Sequence, residues 1–425
     1  MSDLVARDGR VLWHPYTQAG RGIPPLPVAS AEGAWLVLED GRRVLDGISS
    51  WWATLHGHGH PRIADAIARQ ARRLDHVQLA GLTHAPAVEL AERLARISGL
   101  PRVFYSDDGS TAIETALKMA IAHHARRGAN ERTRLLALEH GYHGDTAGAM
   151  SISDDGPFTA DYAPLRFPVT RIPIPVDGRS EDACRAALAT VLDRNGGSFA
   201  ALVAEPLLMG AAGMIVTSPR FLRDLRELTA AHGVLFVADE VFTGFGRTGT
   251  MLACHQAGVV PDLLCLGKAL TGGVLPLAAT LATEEIHASF VGPDLARAFL
   301  HGHTFTGNPI GCAAALASLD LLDERALARG RAIGNRLAEA LAPLAHHPSV
   351  RELRGIGPVR AVELELPDGY LASAGPSMAR AALDRGVLLR PLGNVVYALP
   401  PLCATDDEVD SIADAMRVAV DAAFA

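Results

Sequence analysis

Short apolar runs alternate with amphipathic stretches through the middle of this chain, and this alternation is its main structural signal. The runs lie at 103–105, 135–138, 201–204, 234–238 and 263–266. Each is continuously hydrophobic, which is typical of strands covered on both faces of a sheet. The amphipathic stretches between them predict helices that provide this cover. The pattern therefore predicts an α/β fold with a large domain built on a mostly parallel sheet.

The two ends of the chain have a different pattern. Residues 34–46 predict a β-hairpin, with its turn at Asp40 and Gly41. Near the other end, Thr405 and Glu408 have the spacing of a capping box and predict a final amphipathic helix. Both ends thus predict a smaller α+β unit.

Three segments follow from these patterns. We expect residues 1–60 to contribute to the small domain, residues 61–325 to form the large domain, and residues 326–425 to complete the small domain.

Composition narrows the class of protein. Of 425 residues, 49% are hydrophobic and 20% are charged, which is typical of a globular chain. The net charge of −8 is mild, so no nucleic-acid partner is expected. No uncharged stretch reaches membrane length, and five scattered cysteines fit a reducing compartment. We expect a soluble cytoplasmic protein.

Lysine is scarce in this chain: only Lys118 and Lys268 occur among its 39 Lys and Arg residues. Arginine can replace lysine in ion pairs but cannot act as an amine nucleophile. Lys118 lies in an evident helix, whereas Lys268 follows an apolar strand inside a glycine-rich turn. Both could survive by chance, but the context of Lys268 favours Schiff-base chemistry.

Carboxylates end two of the predicted strands. Glu205 follows the run at 201–204, and Asp239 with Glu240 follows the run at 234–238. Ligands of open α/β sheets bind beyond the carboxyl ends of strands, where a carboxylate can hold a proton on a heterocyclic nitrogen. Such a residue can equally cap the next helix. Because Lys268 follows the next strand along the same edge, Asp239 and Lys268 are the more specific pair.

A tight turn at Gly109 and Ser110 joins a predicted strand to a predicted helix. Free amides at a helix N-terminus suit a phosphate group. Ser110 could instead serve only as the helix cap.

Two other motifs suggest different ligands. Residues 244–249 match the G-x-G-x-x-G dinucleotide pattern, but they lie several residues beyond the strand and lack the acidic residue that should follow. Residues 56–60 alternate histidine and glycine, which suggests a metal site or a tight backbone turn. No carboxylate or cysteine accompanies these histidines, so we expect no metal.

Together these segments resemble the class III pyridoxal-phosphate aminotransferases of fold type I, over nearly the whole chain. The densest match is LFVADEVFTGFGRTG at 235–249, followed by PDLLCLGKALTGG at 261–273. The resemblance implies pyridoxal 5'-phosphate as cofactor and a homodimer with shared active sites.

The resemblance also implies residue roles. Lys268 would form the Schiff base with the cofactor and shuttle a proton, Asp239 would bind the pyridine nitrogen, and Tyr142 would stack on the ring. Phosphate contacts would come from a separate set of residues, namely Gly109, Ser110 and, from the neighbouring subunit, His303 and Thr304.

Two N-terminal motifs, WHPYTQ at 13–18 and DGISSWWATLHGH at 46–58, resemble one branch of this family. That branch moves an amino group from S-adenosyl-L-methionine to 8-amino-7-oxononanoate in biotin biosynthesis. The substrate contacts implied for this chain are Tyr16, Trp51, Trp52, Tyr142, Lys268, Gly302, Arg390 and Tyr397. Paired tryptophans could also be core residues, and Arg390 could belong to a structural ion pair.

Two positions depart from the family pattern. Phe242 stands where many members have glutamine, and His303 stands where the branch often has proline. Other class III enzymes that use ω-amino acids or diamines are the nearest alternative. A cofactor-binding regulator without turnover and a nicotinamide dehydrogenase are more distant ones. The amino donor, adenosylmethionine or lysine, stays open.

Overall fold

The computed structural model describes residues 3–18, 20, 24–366 and 369–424. Strands in this part of the chain are numbered in chain order: β1 Val28–Glu32, β2 Trp35–Leu38, β3 Arg43–Asp46, β4 Arg102–Ser106, β5 Arg134–Leu138, β6 Thr170–Ile172, β7 Phe199–Ala204, β8 Leu208–Met209, β9 Ile215–Val216, β10 Leu235–Asp239, β11 Leu263–Leu266, β12 Ala278–Ala282, β13 Val350–Ile356, β14 Val359–Leu364, β15 Val387–Leu388 and β16 Val395–Ala398.

The helices are numbered in the same way: α1 Asp3–Val11, α2 Ser49–Trp52, α3 Pro61–Arg73, α4 Ala85–Ser98, α5 Gly109–Arg126, α6 Ala147–Ile152, α7 Glu181–Asn195, α8 Pro219–Ala231, α9 Cys254–Ala257, α10 Glu284–Ala288, α11 Pro309–Leu321, α12 Glu324–Leu341, α13 Gly375–Asp384 and α14 Asp406–Ala422. The short α2 is an irregular turn, because Ser50 and Trp51 have non-helical dihedral angles. No helix in the described part of the chain is long and apolar enough to cross a membrane.

A seven-stranded sheet in the order β4-β12-β11-β10-β7-β5-β6 forms the centre of the molecule. The pairings from β11 through β10, β7 and β5 to β6 are parallel. The runs at 103–105, 135–138, 201–204, 234–238 and 263–266 are all strands of this sheet, within one or two residues, so their prediction is confirmed. Strand β7 is buried along its whole length, as its continuous hydrophobicity predicts.

The sequence pattern did not reveal β12, which lies between β4 and β11 and is antiparallel to both. Its composition is rich in alanine, which has a low strand propensity. Packing explains the choice of these small side chains, since all five residues of β12 are buried and helix α5 packs on this part of the sheet.

Two smaller sheets join the ends of the chain. One has the order β1-β2-β3-β15, so strands near the N-terminus pair with a strand near residue 387. The other, β13-β14-β16, is entirely antiparallel. One apolar core contains residues from 34–52 and from 333–420, and so connects these sheets with α12, α13 and α14. The boundaries at residues 60 and 325 stay predictions.

Two local predictions at the chain ends are confirmed. Strands β2 and β3 form an antiparallel hairpin, with Gly41 at a φ of 83° in the turn. Helix α14 begins after Thr405, whose side chain and that of Glu408 form the reciprocal capping box.

Candidate active site

A cavity of about 590 Å³ opens at the carboxyl ends of β10 and β11. Its volume is in the ordinary range for a small-molecule site. Ten of the thirteen predicted site residues line it, although they come from distant parts of the chain: Tyr16, Trp51, Trp52, Gly109, Ser110, Tyr142, Asp239, Lys268, Arg390 and Tyr397.

Asp239 and Lys268 meet in this cavity because of the strand register. Asp239 is the last residue of β10 and pairs with Cys265 of the parallel strand β11. Lys268 follows three residues later, at the same edge of the sheet. The expectation that the two residues lie on neighbouring strands is therefore confirmed.

A histidine that the sequence analysis overlooked holds Asp239 in place. The Nδ1 of His143 donates to Asp239 Oδ2 over 2.7 Å, and the Val241 amide donates to Oδ1 over 3.1 Å. Both His143 and Asp239 are buried. The only signal for His143 was its place beside Tyr142 in a histidine- and glycine-rich segment. His143 and Asp239 together give the cavity a carboxylate of fixed orientation that accepts a hydrogen bond from an imidazole.

The amine of Lys268 lies in largely apolar surroundings. Its Nζ is 5.5 Å from the ring centre of Trp52 and 5.7 Å from that of Phe242. Burial lowers the pKa of Lys268, although the carboxylates of Asp239 and Glu205 oppose this effect. A lower pKa makes the neutral amine, which is the nucleophilic form, more accessible at moderate pH.

Three residues that line the cavity have strained backbone conformations. Tyr16, Trp52 and Lys268 have φ values of 50°, 65° and 41°, in the left-handed region that non-glycine residues rarely adopt. Such conformations cost on the order of 1–3 kcal/mol each and persist only where surrounding contacts enforce them. Buried Asp46 supports the turn before Trp52, since its carboxylate accepts from the Ser50 amide over 2.7 Å.

The N-terminus of the 18-residue helix α5 faces the cavity. Asp108 is its cap, with Oδ1 accepting from the Thr111 amide over 2.9 Å, so the alternative that Ser110 is the cap is wrong. The amides of Gly109 and Ser110 donate to no residue that the structure describes. Two free amides at the positive end of a long helix can bind an anion.

Glycine at position 109 has a packing reason as well. A Cβ there would come within 2.4 Å of Val241 Cγ1, so a side chain would displace the residue that follows the Asp239–Glu240 pair. The Ser110 hydroxyl lies 2.9 Å from Thr146 Oγ1, and both residues line the cavity. The cavity wall here consists of amides and hydroxyls, the groups that a phosphate accepts from.

The two strand-end glutamates have different roles. Glu240 accepts from the amides of Ala253 and Cys254 and so holds the start of α9, which is the helix-capping alternative. Glu205 lines the cavity instead, where its two oxygens accept from the amides of Tyr142 and Gly210 over 3.0 and 3.1 Å. Burial raises the pKa of Glu205 to about 7.

A network of hydroxyl groups lies at the cavity entrance. The Tyr142 hydroxyl donates to Asp145 Oδ1 over 3.0 Å and lies 3.2 Å from the Tyr16 hydroxyl, which also donates to Asp145. Burial and these contacts raise the pKa of Tyr142, so its hydroxyl stays protonated. Asp145, which the sequence patterns did not single out, thus orients two of the predicted aromatic residues.

Trp52, Phe242 and Tyr397 form an aromatic wall of the cavity. The ring centre of Trp52 lies 4.7 Å from that of Phe242, and the Trp52 Nε1 donates to the Tyr397 hydroxyl over 2.9 Å. Trp52 and Tyr397 are 6% and 1% exposed, which shows that these residues are part of the core as well as of the cavity wall. Trp52 is therefore a core residue, as one alternative had it, and its contact with a substrate stays a prediction.

Trp51 and Arg390 form the outer part of the cavity. Trp51 is 43% exposed, and the guanidinium carbon of Arg390 lies 4.2 Å from its ring centre. Arg390 makes no ion pair with any residue that the structure describes, so the alternative of a structural ion pair finds no partner there. The guanidinium also borders a second cavity of about 1130 Å³, and its donors are available to an anionic ligand.

Three predicted residues, Gly302, His303 and Thr304, do not line the cavity of their own chain. Gly302 and Thr304 are exposed, and the Nδ1 of His303 donates to Asp107 Oδ2 over 3.0 Å. Their predicted contact with the site of a neighbouring subunit stays a prediction.

The segments behind the two other ligand hypotheses have structural roles. In the 244–249 loop, fully buried Arg247 donates to the carbonyl oxygens of Trp52 and Thr54, beneath the strained turn. In the 56–60 turn, His56 contacts Ser318 and His58 donates to Asp46. Among the described residues, no group of three or more His, Cys, Asp and Glu side chains could hold a metal ion.

The sheet, the lysine–aspartate pair and the amides at the start of α5 fit an aminotransferase, and the comparisons agree. The class-III aminotransferase family matches residues 16–420, so the chain belongs to this family. The predicted fold type I is confirmed by solved transaminases of the same fold.

Among its relatives are adenosylmethionine-8-amino-7-oxononanoate aminotransferases. That of Synechococcus elongatus is 47% identical over 94% of this chain and 96% of its own length, and that of Nitratidesulfovibrio vulgaris is 46% identical over 98% and 81%. The structure of the enzyme with this name from Methanocaldococcus jannaschii has a TM-score of 0.93 at 35% identity, over 98% of both chains. A PLP-bound amine transaminase from an uncultivated Pseudomonas species has a TM-score of 0.90 at 35% identity, over 96% of this chain and 98% of its own.

Proposed function

We propose that this protein transfers an amino group from S-adenosyl-L-methionine to 8-amino-7-oxononanoate, with pyridoxal 5'-phosphate as cofactor, in biotin biosynthesis. The observation that carries the proposal is a single cavity that combines Lys268 and Asp239 with an aromatic wall and the guanidinium of Arg390, which makes no ion pair with the described residues. The names of the relatives support the same reaction.

The chemistry of the donor set fits pyridoxal phosphate. Lys268 provides an amine for the aldehyde, and Asp239, backed by His143, provides a carboxylate for the ring nitrogen. The free amides of Gly109 and Ser110 provide donors for the phosphate. When bound, this cofactor stabilises negative charge on the carbon next to the transferred nitrogen.

The protein's own residues account for orientation and proton movement. Asp239 keeps a proton on the ring nitrogen, because His143 and the Val241 amide fix its carboxylate. We assign the proton transfer at the substrate carbon to Lys268 Nζ, whose pKa is lowered by burial toward the range suited to a general base. Trp52 and Phe242 place apolar ring surface near this amine.

Substrate choice is assigned to the outer cavity. Tyr16, Trp51 and Trp52 offer flat aromatic surfaces for an adenine ring and for an aliphatic chain. Arg390 is suited to the distal carboxylate of the keto acid, because a guanidinium binds a carboxylate through two parallel hydrogen bonds.

A donor panel tests the reaction. The purified protein is incubated with 8-amino-7-oxononanoate and one donor at a time: adenosylmethionine, lysine, ornithine or 4-aminobutyrate. Product mass identifies the diamine. Formation of the diamine with adenosylmethionine supports the proposal, and formation with lysine alone corrects the donor. Turnover only with ornithine or 4-aminobutyrate, with their own keto acids as acceptors, supports the alternative ω-amino acid or diamine aminotransferase.

The same samples address a regulator without turnover. An aminotransferase loses the visible absorbance of its lysine-bound cofactor when the donor is added, and regains it with the keto acid. A protein that keeps this absorbance through every donor is not an aminotransferase for any of them.

We further propose a homodimer whose sites are shared. A dianionic phosphate uses several donors, and Lys268 is committed to the aldehyde end, so a donor from a second subunit would add to the amides of Gly109 and Ser110. A dimer is the smallest closed assembly in which each site receives the 301–304 loop of the other subunit. A cytoplasmic location also stays a prediction.

Hybrid dimers test the sharing. Lys268→Ala subunits and Thr304→Val subunits are mixed under conditions that allow subunit exchange. If Thr304 acts across the interface, each hybrid has one doubly impaired and one intact site, and activity rises above that of either parent. Unchanged activity after verified exchange contradicts the shared site.

A further inference from the structure

We propose that His303 and Lys118 are positioning residues that fasten the 301–304 loop to the strand and helix around the α5 N-terminus, and thereby fix Thr304 for the partner's cofactor. This inference rests on the shared site proposed above. It gives roles to the second lysine of the chain and to the histidine that departs from the family pattern.

The first attachment is the contact between His303 and Asp107. His303 Nδ1 donates to Asp107 Oδ2 over 3.0 Å, and the histidine side chain is only 15% exposed. Asp107 lies between Ser106, which ends β4, and Asp108, which caps α5. The loop is thus attached to the turn that presents the two free amides to the cavity.

The second attachment involves His301 and Lys118. Lys118 Nζ, on α5, donates to His301 Nδ1 over 3.3 Å. The imidazole of His301 also stacks on Phe104 of β4, with 6.0 Å between ring centres and 21° between planes. Polar and aromatic contacts therefore hold the two histidines on either side of Gly302.

Contacts on the far side of Thr304 complete the arrangement. The His303 amide donates to Thr306 Oγ1 over 2.9 Å, and Asn308 caps α11 by accepting from the Ile310 and Gly311 amides. Thr304 itself is exposed between these fixed neighbours. A loop held in this way offers its hydroxyl to a second molecule at little cost in conformational entropy.

The test compares two hybrid dimers that each contain a single lysine-bearing site. In the first, His303→Ala is in the Lys268→Ala subunit and its partner is otherwise unaltered. In the second, His303→Ala is in the subunit that keeps Lys268. The readout is the affinity for pyridoxal phosphate alone, from the absorbance of the lysine-bound cofactor, with borohydride trapping to count occupied sites.

We expect the first hybrid to bind pyridoxal phosphate roughly tenfold more weakly, the scale of one charge-assisted hydrogen bond, and the second to bind as the unaltered hybrid does. Lys118→Met in the first arrangement should give a smaller loss in the same direction. His303→Asn, which keeps a donor near the position of Nδ1, should restore most of the affinity. The matched control is His232→Ala. His232 is also paired with an aspartate, with 3.1 Å between its Nε2 and Asp193 Oδ1, but it does not line the cavity.

Three results would overturn the inference. The loss could occur only in the second hybrid, which would mean that His303 acts on its own chain through Asp107. The second result would be that neither hybrid loses affinity for pyridoxal phosphate. The third would be that His303→Asn binds pyridoxal phosphate as weakly as His303→Ala does. The readout contains no amino donor and so is independent of the substrates. If Thr304→Val in the first arrangement also has no effect, the shared site itself fails; if only Thr304→Val has an effect, only this inference fails.

Discussion

Replacing Arg390 with alanine should separate the two substrates of the proposed reaction. The guanidinium covers Trp51 at 4.2 Å and has no ion-pair partner in the described part of the chain. Loss of a hydrogen-bonded charge pair with the distal carboxylate of the keto acid should cost roughly 1.5–3 kcal/mol, which is about 10- to 150-fold in affinity.

The amino donor should be affected less by the same change. For adenosylmethionine, the loss of Arg390 removes only the cation that stacks on Trp51, a contact worth about 0.5–1 kcal/mol at an exposed site, or roughly two- to fivefold. Arg390→Lys should lie between the two, because an ammonium keeps the charge but cannot form two parallel hydrogen bonds with a carboxylate.

The assay measures each half-reaction separately under single-turnover conditions, from the absorbance of the bound cofactor as the concentration of one substrate is varied. Arg43→Ala is the matched control, because Arg43 stacks on Trp35 at 4.7 Å but does not line the cavity. Equal losses for both substrates would refute the reasoning and make Arg390 a structural residue. No loss for the keto acid would exclude the carboxylate contact.

Three further predictions concern the inner cavity. Borohydride reduction of the loaded protein should place the pyridoxyl group on Lys268, and an adduct on Lys118 in peptide maps would contradict the assignment; Lys268→Ala should abolish turnover. The pKa of Glu205 is raised from its ordinary 4.5 to about 7 in the folded protein, so the folded state holds this proton more tightly than the unfolded state. The resulting contribution to the free energy of unfolding is fully present below about pH 4.5 and should be lost as the pH rises through 7, by about 3 kcal/mol in all. Urea unfolding of the cofactor-free protein at about pH 5 and about pH 8 should show that Glu205→Gln removes this part of the dependence of the unfolding free energy on pH. The variant must be compared with wild type, because His56, with a pKa lowered to about 4, contributes a pH dependence of the opposite sign. An identical pH dependence in the two proteins would contradict the assignment. Tyr397→Phe should lower the free energy of unfolding by about 1–3 kcal/mol, since the buried N–H of Trp52 loses its acceptor, and an unchanged denaturation midpoint would show that the hydrogen bond contributes little.

Much of the fold could be predicted from the sequence because continuous apolar runs have few alternatives to a buried parallel strand. The same reasoning predicted that Asp239 lies close to Lys268, since parallel strands bring their carboxyl ends to one edge of the sheet. The capping box before α14 is local and could be read directly from Thr405 and Glu408. These features depend on the period of hydrophobic residues and on neighbours within a few positions.

Contacts between distant segments required the tertiary structure. His143 and Asp239 are 96 residues apart, and no periodic pattern connects them. Strand β12 is antiparallel to both its neighbours, and its small residues fit the helix packed on them rather than a high strand propensity. The strained turn at Trp52 is likewise enforced by contacts from other parts of the chain.

The strand-end carboxylates show this division most clearly. Glu205 and Glu240 both follow an apolar strand, and the sequence identified both as candidates without distinguishing them. Asp239 ends β10 and Glu240 is the first residue after it, and successive side chains at the end of a strand tend to point to different faces. Which face becomes the cavity depends on where α5, α9 and the smaller sheets pack. Packing therefore assigned Glu240 to the start of α9 and Glu205 to the cavity wall.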